Sequence, residues 1–299
     1  FEDHGIFSNL GSILKNQGKL KEAELLQRKA IDLKPDFANA HANLGNILSD
    51  LGKLQEAESS QRKAIELKPD FAHAHANLGN ILAALGKAKE AELSCRKAIE
   101  IKPDYAEAHL NLGNILRDLG KAKKAELSYR KAIEIKTDYA DAYYNLGNIS
   151  RENRKFYDAI NHYKKALKLN NELSIAKLGL IESKGNICDW GNQDNETNWL
   201  DKLGIEGSAI NPHVLYYYED NPLKQLQRAK KFYKEKYTRP TKHIKSSRNN
   251  IIHIGYFSAD FRKHPVMQHI ADLLELHDKS RFKIYLYSFV PKEDEYTER

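Results

Sequence analysis

The chain has 299 residues, of which 41% are hydrophobic and 30% charged, and it carries a formal net charge of +7. This composition indicates a soluble folded protein of two domains, since one domain usually holds about 150 residues. No stretch approaches the roughly 20 consecutive apolar residues that span a bilayer, so we expect no membrane contact. The two cysteines, Cys95 and Cys188, lack metal-ligand spacing, which argues against disulfides and structural zinc and favours a reducing cytoplasm.

The positive charge follows a mixed-sign pattern. Basic pairs such as Arg28-Lys29 and Arg62-Lys63 recur at one helical position, interleaved with glutamates such as Glu24 and Glu58. Residues three or four apart are neighbours on a helix, so this pattern predicts a solvated helix face. A nucleic-acid surface needs basic residues clustered without acids, so the sequence argues against nucleic acid as a partner.

A period of 34 residues organises the first part of the chain. Asn-Leu-Gly begins at Asn9, Asn43, Asn77, Asn111 and Asn145. Small residues keep the same phase, among them Gly18, Gly52, Gly86, Gly120, Ala23, Ala57, Ala91, Ala125 and Ala159. This period with small residues at fixed offsets resembles the tetratricopeptide repeat, which implies an α-α superhelix of helical hairpins. We predict five repeats over residues 4–173.

Each repeat contains residues suited to its turns and close contacts. Asp36 and its equivalents are predicted to cap the first helix of the next hairpin. Gly52 suits the left-handed residue that ends that helix, and Pro69 stops the second helix. Gly45 lacks bulk, so we expect helix backbones to approach closely there. The fifth repeat departs from the pattern, because Arg154 replaces the glycine.

Paired asparagines lie on one face of each predicted first helix. They are Asn43 and Asn46, Asn77 and Asn80, Asn111 and Asn114, and Asn145 and Asn148, while the first repeat has Asn9 with Ser12. A solenoid offers a long concave surface, and an asparagine amide matches a peptide bond in donors and acceptors. We therefore predict that these nine asparagines line a groove for extended polypeptide. The alternative is that they only tie neighbouring helices together.

Other in-phase residues favour packing. His41, His75 and His109 lie on successive hairpins, about 8–10 Å apart, too far to share a metal ion. We therefore predict that each packs as a partly aromatic residue of the core and that they form no metal site. Cys95 takes the position of Tyr129 in the next repeat, which indicates a packed thiol.

The period ends near residue 173, and residues 174–250 are predicted to form a connector. It contains a capping helix from Leu173 to about Lys184, a polar loop-rich stretch and a helix from Pro222 to Tyr237, started by proline. The last stretch, rich in lysine, arginine and serine, is typical of an exposed linker.

Residues 251–299 change to a strand–helix–strand pattern. The predicted elements are strands Ile251–Ser258 and Phe282–Val290 with a helix Pro265–His277 between them. This is the first unit of a parallel, Rossmann-like sheet. One unit leaves a sheet edge open, so we expect truncation at Arg299, and Phe1 in place of Met indicates residues upstream.

The loop after the first strand carries a specific motif. Residues 255–265 read Gly-Tyr-x-Ser-x-Asp-Phe-x-x-His-Pro, which resembles the opening of the catalytic region in the O-linked N-acetylglucosamine transferases, nearest the SPINDLY-like branch. Cys188-Asp189-Trp190 and the stretch over 211–227 resemble that branch's connecting segment. The resemblance implies an enzyme with two Rossmann-like lobes that transfers a sugar from a nucleotide diphosphate donor to Ser or Thr of proteins. Its repeats would hold the acceptor polypeptide.

The same resemblance implies two site residues. His264 matches the active-site histidine, a base or a positioner, and imidazole suits either role near neutral pH. Its alternative role is to cap the helix before Pro265. Asp260 matches a motif carboxylate, for which a structural role in the loop is favoured over a catalytic one.

The resemblance also sets the cofactor expectations. This part of the chain is expected to hold no cofactor and to be inactive alone, while the parent protein uses a UDP-sugar (UDP-GlcNAc) or GDP-sugar donor without metal. The other function that fits the sequence is a tetratricopeptide-repeat adaptor without catalysis.

Overall fold

The protein is described here by a computed structural model, which defines residues 3–189, 199–211, 215, 221–236, 252–258 and 278–288. The chain divides into two compact units, Phe1–Tyr237 and Thr238–Arg299.

In the described part of the first unit, the chain forms five helical hairpins followed by two further helices. The hairpin helices are α1 (His4–Asn16), α2 (Leu20–Leu33), α3 (Ala38–Asp50), α4 (Leu54–Leu67), α5 (Ala72–Ala84), α6 (Ala88–Ile101), α7 (Ala106–Asp118), α8 (Ala122–Ile135), α9 (Ala140–Glu152) and α10 (Phe156–Leu169). The later helices are α11 (Ser174–Asn186) and α12 (Pro222–Lys236). The predicted hairpin array and both later helices are confirmed.

Small side chains let the helices of each hairpin pack tightly. The in-phase alanines of the second helices are fully buried, namely Ala23, Ala57, Ala91, Ala125 and Ala159. Larger apolar residues of the first helices, such as Ile47 and Leu48, fill the remaining space. Each hairpin therefore buries its apolar face against its neighbours, as in a solenoid.

A left-handed residue ends each first helix, as predicted. Gly52, Gly86 and Gly120 have φ of +76°, +77° and +72°, and an added Cβ would contact nothing within 4 Å. The position therefore requires glycine for its backbone conformation, not for space. In the fifth hairpin Arg154 adopts the same conformation with φ of +58°. A non-glycine residue there costs about 1–2 kcal/mol.

The predicted aspartate caps are wrong. The N-cap residue of α3 is Phe37, one position after Asp36, and it makes no side-chain capping bond. The same position holds Phe71 before α5, and its ring packs against a cluster that includes Ala42 and Ala64. An aromatic residue therefore takes the N-cap position of α3, α5, α7 and α9. The other displaced aspartates are Asp70, Asp104 and Asp138.

A buried arginine joins α12 to the segment that follows α11. Arg228 is 0% exposed, and its guanidinium donates to the backbone carbonyls of Leu203 (2.8 Å) and Leu200 (3.1 Å). Both leucines pack with Ile181 of α11. The segment after the hairpins thus extends the hydrophobic core of the first unit.

The second unit contains a parallel strand pair. Strand β1 (Ile252–Ser258) pairs with β2 (Phe282–Ser288) in a register that runs from Ile252↔Phe282 to Ser258↔Ser288. Parallel strands need a crossover connection, as the predicted strand–helix–strand unit requires. The predicted helix over 265–277 lies outside the described residues.

We predict that Arg154→Gly stabilises the array, because it removes the cost of a left-handed arginine. The free energy of unfolding should rise by about 1 kcal/mol, measured by urea denaturation. Gly120→Arg is the matched control and should lower it by a similar amount. A loss of stability in Arg154→Gly would contradict this account of the turn.

Candidate peptide-binding groove

The first helices lie on the inner side of the array. Helices α1 and α3, α3 and α5, and α5 and α7 contact each other across successive hairpins. Side-chain bonds also cross between first helices, for example from Asn145 Nδ2 to Asn114 Oδ1 (3.2 Å). Side chains on the free face of the first helices therefore line the concave surface, where the paired asparagines were predicted.

The second asparagine of a pair is tied to the second helix of its own hairpin. Its Oδ1 accepts a hydrogen bond, 2.8 Å long in each case, in the pairs Asn46–Gln61, Asn114–Tyr129 and Asn148–Tyr163. Among the described residues, the Nδ2 groups of these asparagines have no acceptor. Each tied amide is therefore held in one orientation with its N–H donors unused.

The glycine of Asn-Leu-Gly makes this bond possible. A Cβ on Gly113 would lie 2.4 Å from Cε1 of Tyr129, and one on Gly45 would lie 2.7 Å from Nε2 of Gln61. The glycine therefore makes room for a side chain of the second helix. The predicted close approach of backbones accounts for only part of its role.

The first asparagine of a pair contacts the preceding hairpin. Asn43 Nδ2 donates to Ser8 Oγ (3.2 Å) and Ser12 Oγ (3.3 Å). Asn111 and Asn145 are buried, with 4% and 7% exposure. The bonds of Asn43 are those expected if the asparagines tie helices together. Peptide binding at these positions stays a prediction.

Three other asparagines differ from these. Asn9 and Asn80 are exposed and Asn77 is half-buried. Within the described part of the chain, the structure shows no side-chain bond for any of the three. Their amides remain available to a ligand.

Burial keeps the tyrosines of the second helices neutral. It raises the pKa of Tyr129 to about 12, and it also raises the pKa of Tyr163. Both hydroxyls therefore remain hydrogen-bond donors to their asparagines at physiological pH.

The histidine column has a structural bond that the sequence did not reveal. Nε2 of His41, His75 and His109 lies 2.9, 3.0 and 3.0 Å from the backbone carbonyl of the proline six residues earlier. The carbonyl can only accept, so Nε2 donates. Among the described residues no group of three His, Cys, Asp or Glu side chains is placed to bind a metal ion.

Ion pairs connect the second helices on the opposite face. Glu24 accepts from Arg28 (2.8 Å) of the same helix and from Lys53 (3.0 Å) of the next hairpin. The bonds from Arg28 and Lys53 hold the pKa of Glu24 below its usual range. Glu58 repeats the arrangement with Arg62 and Lys87, and its pKa is also lowered. The mixed-sign pattern is thus a set of ion pairs within and between hairpins.

The predicted catalytic residues, His264 and Asp260, lie outside the described residues. The residues that orient the groove asparagines were missed as a set. Their signal was present, because Gln61, Tyr129 and Tyr163 share one position of the 34-residue repeat, which Gln27 and Cys95 occupy in the other two hairpins.

Comparison with protein-family models supports both parts of the sequence interpretation. Tetratricopeptide-repeat models match residues 4–37, 42–106, 94–126, 113–153 and 140–172. The helical array is a tetratricopeptide-repeat superhelix. Residues 223–299 match the model of glycosyl transferase family 41. A search of curated proteins found no match to the chain.

Solved structures with a similar fold are also tetratricopeptide-repeat proteins or similar helical arrays. PilF of Pseudomonas aeruginosa superposes with a TM-score of 0.59 at 19% identity, covering 76% of this chain and 97% of that one. PilW, described as a type IV pilus biogenesis factor, gives 0.58 at 21% identity, covering 62% and 87%. A tetratricopeptide-repeat protein of Thermus thermophilus gives 0.54 at 20% identity, covering 62% and 99%. These likenesses support the fold alone.

No helix among the described residues combines the length and the apolar character that crossing a membrane requires.

We predict that Tyr129→Phe lowers the free energy of unfolding by about 1 kcal/mol at neutral pH, because Asn114 loses a buried donor. The folded-state pKa of Tyr129 is raised to about 12, above the usual value of about 10. Its neutral form therefore stabilises the fold below about pH 10, and this contribution is lost as the pH rises towards 12.

The stability difference between wild type and Tyr129→Phe should therefore shrink over that pH range. Denaturant unfolding at several pH values measures it. Tyr157, which is 72% exposed, gives the control, because Tyr157→Phe should change nothing. A pH-independent difference would contradict the role of the buried hydroxyl.

Proposed function

We propose that the protein is a protein O-glycosyltransferase whose repeats hold the acceptor polypeptide while the second unit contributes to catalysis. The observation that carries the proposal is the glycosyl transferase family 41 match over residues 223–299, in the same chain as repeats that match as far as residue 172. The motif at 255–265 supports the same activity, and the SPINDLY-like branch remains our specific proposal within it.

The groove supports a polypeptide as the acceptor. Tied asparagines such as Asn46 and Asn114 have an engaged Oδ1 and unused N–H donors. Backbone carbonyls of an extended chain are acceptors at regular spacing, and they occur in every sequence. A row of fixed donors would therefore hold many acceptor proteins with little regard to their side chains.

The proposed reaction joins a Ser or Thr hydroxyl oxygen to the anomeric carbon of the sugar and breaks the bond to the nucleoside diphosphate. The hydroxyl proton must leave as the bond forms. His264 is proposed to accept that proton or to position the reacting groups, and Asp260 to order the loop around it. The donor is proposed to be UDP-GlcNAc, with a GDP-sugar as the alternative, and no metal is required in this scheme.

The protein as its gene encodes it should transfer sugar from UDP-GlcNAc or a GDP-sugar to Ser/Thr-containing proteins. His264→Ala should reduce turnover at least about 100-fold, the usual effect of removing an acid–base group. Intact mass spectrometry of the acceptor measures the product.

Lys263→Ala is the matched control, because it alters the neighbouring side chain and should retain activity. Full activity in His264→Ala would remove this residue from the chemistry. Absence of turnover with either class of donor would favour the adaptor function.

A further inference from the structure

The third hairpin lacks the bond that ties its groove asparagine to the second helix. Cys95 stands where the other hairpins have Gln61 or Tyr129, and it is fully buried. Its Sγ would lie 2.4 Å from a Cβ on Gly79, so the cysteine occupies the space above the glycine without extending beyond it. Asn80 is exposed and has no partner among the described residues.

A second, independent defect lies on the next hairpin. The Nδ2 group of Asn111 is buried without a hydrogen-bond partner, although the side chain is only 4% exposed. One hairpin further on, the equivalent donor of Asn145 bonds to Asn114 Oδ1 at 3.2 Å. Asn111 makes no such bond to Asn80 in this structure. A buried donor left unpaired costs free energy that a ligand can recover.

On α5, the side chain one turn after Asn80 is also short. In the fourth hairpin Arg117 Nη1 donates to Asn145 Oδ1 at 3.3 Å. The equivalent residue of the third hairpin is Ala83, which has no polar group to reach across. We call Asn80, Ala83, Cys95 and Asn111 the open step of the groove.

We propose that the open step is the anchoring subsite for the backbone of the bound polypeptide. This inference rests on the proposed acceptor groove. A peptide carbonyl accepts from Asn80 Nδ2, while the N–H of the same segment donates to Asn80 Oδ1. The peptide N–H would thus donate to Asn80 Oδ1 as the Tyr129 hydroxyl donates to Asn114 Oδ1.

The two lone pairs of Asn80 Oδ1 allow a further bond. Asn114 Oδ1 already accepts from both Tyr129 and Asn145. An Asn80 amide oriented by the ligand can accept from Asn111 Nδ2 in the same way, so peptide binding would satisfy the buried donor. At Asn114 both bonds to Oδ1 are already made within the protein, so this asparagine offers a peptide only its N–H donors.

Cys95→Tyr tests the proposal, because it supplies the missing hydroxyl. Gly79 provides the room, since its equivalent Gly113 accommodates Tyr129. The probe is a fluorescein-labelled, unstructured Ser/Thr-rich peptide of about 12 residues, which reaches about 40 Å when extended and crosses several hairpins. Fluorescence anisotropy should show binding at least about tenfold weaker than to wild type, the loss expected for one hydrogen-bonded pair.

Gln61→Tyr is the matched control. It makes a similar substitution above Gly45, where Asn46 is already tied, so the affinity should stay within about twofold of wild type. Asn80→Ala changes an exposed residue and should weaken binding as much as Cys95→Tyr does. Thermal unfolding of each variant shows that it is folded.

The outcomes separate the two proposals. If wild type binds the peptide and both folded Asn80→Ala and Cys95→Tyr bind it equally well, the open step is not the anchor and the groove proposal stands. If Cys95→Tyr does not fold, Asn80→Ala alone decides the outcome. If wild type does not bind the peptide at all, the acceptor groove and the open step are both wrong.

Discussion

The arrangement of the groove depends on one contact, a side chain of the second helix that lies over a glycine of the first. Tyr129 over Gly113 places its hydroxyl 2.8 Å from Asn114 Oδ1, and Tyr163 over Gly147 does the same for Asn148. The contact has two effects. The tyrosine ring fills the space between the two helices of the hairpin, and its hydroxyl orients the asparagine amide. A larger residue than glycine would separate the helices and release the asparagine.

Repetition extends this local contact along the array. Stacked hairpins place equivalent asparagines along the inner side at regular intervals, while ion pairs such as Glu58 with Arg62 and Lys87 connect the outer face. The tied positions of the inner face are uncharged amides that offer donors. This suits the proposed recognition of polypeptide backbone, which is the same in every protein.

The sequence predicts the structural features that repeat along the chain or that have local causes. The 34-residue period predicts the hairpins, because the repeated glycines and alanines make the same kind of contact in every hairpin. Gly52 in a left-handed turn, Pro222 at a helix start and the parallel strands follow from local chemistry. The N-terminal ends of the first helices were misassigned, because Phe37 packs between hairpins and this contact outweighs the capping preference of Asp36.

Long-range contacts without a repeat could not be predicted. Arg228 is buried while Leu223 and Leu226 of the same helix are 73% and 50% exposed, the reverse of their usual preference. Its partners are backbone carbonyls about 25 residues earlier, for which the sequence has no signal. The unequal roles of the groove asparagines also depend on such contacts, since Cys95 looks like an ordinary packed thiol until the missing bond to Asn80 is seen.

The central claim is that groove amides hold polypeptide backbone, and side-chain amide NMR tests it most directly. Adding an unstructured Ser/Thr-rich peptide to the isotope-labelled protein should shift the Nδ2–H resonances of Asn46, Asn80 and Asn114. Those of Asn153 and Asn170, which are exposed at turns outside the groove, should remain unchanged. Shifts confined to the turn asparagines, or no shift in any groove asparagine under saturating peptide, would contradict the account.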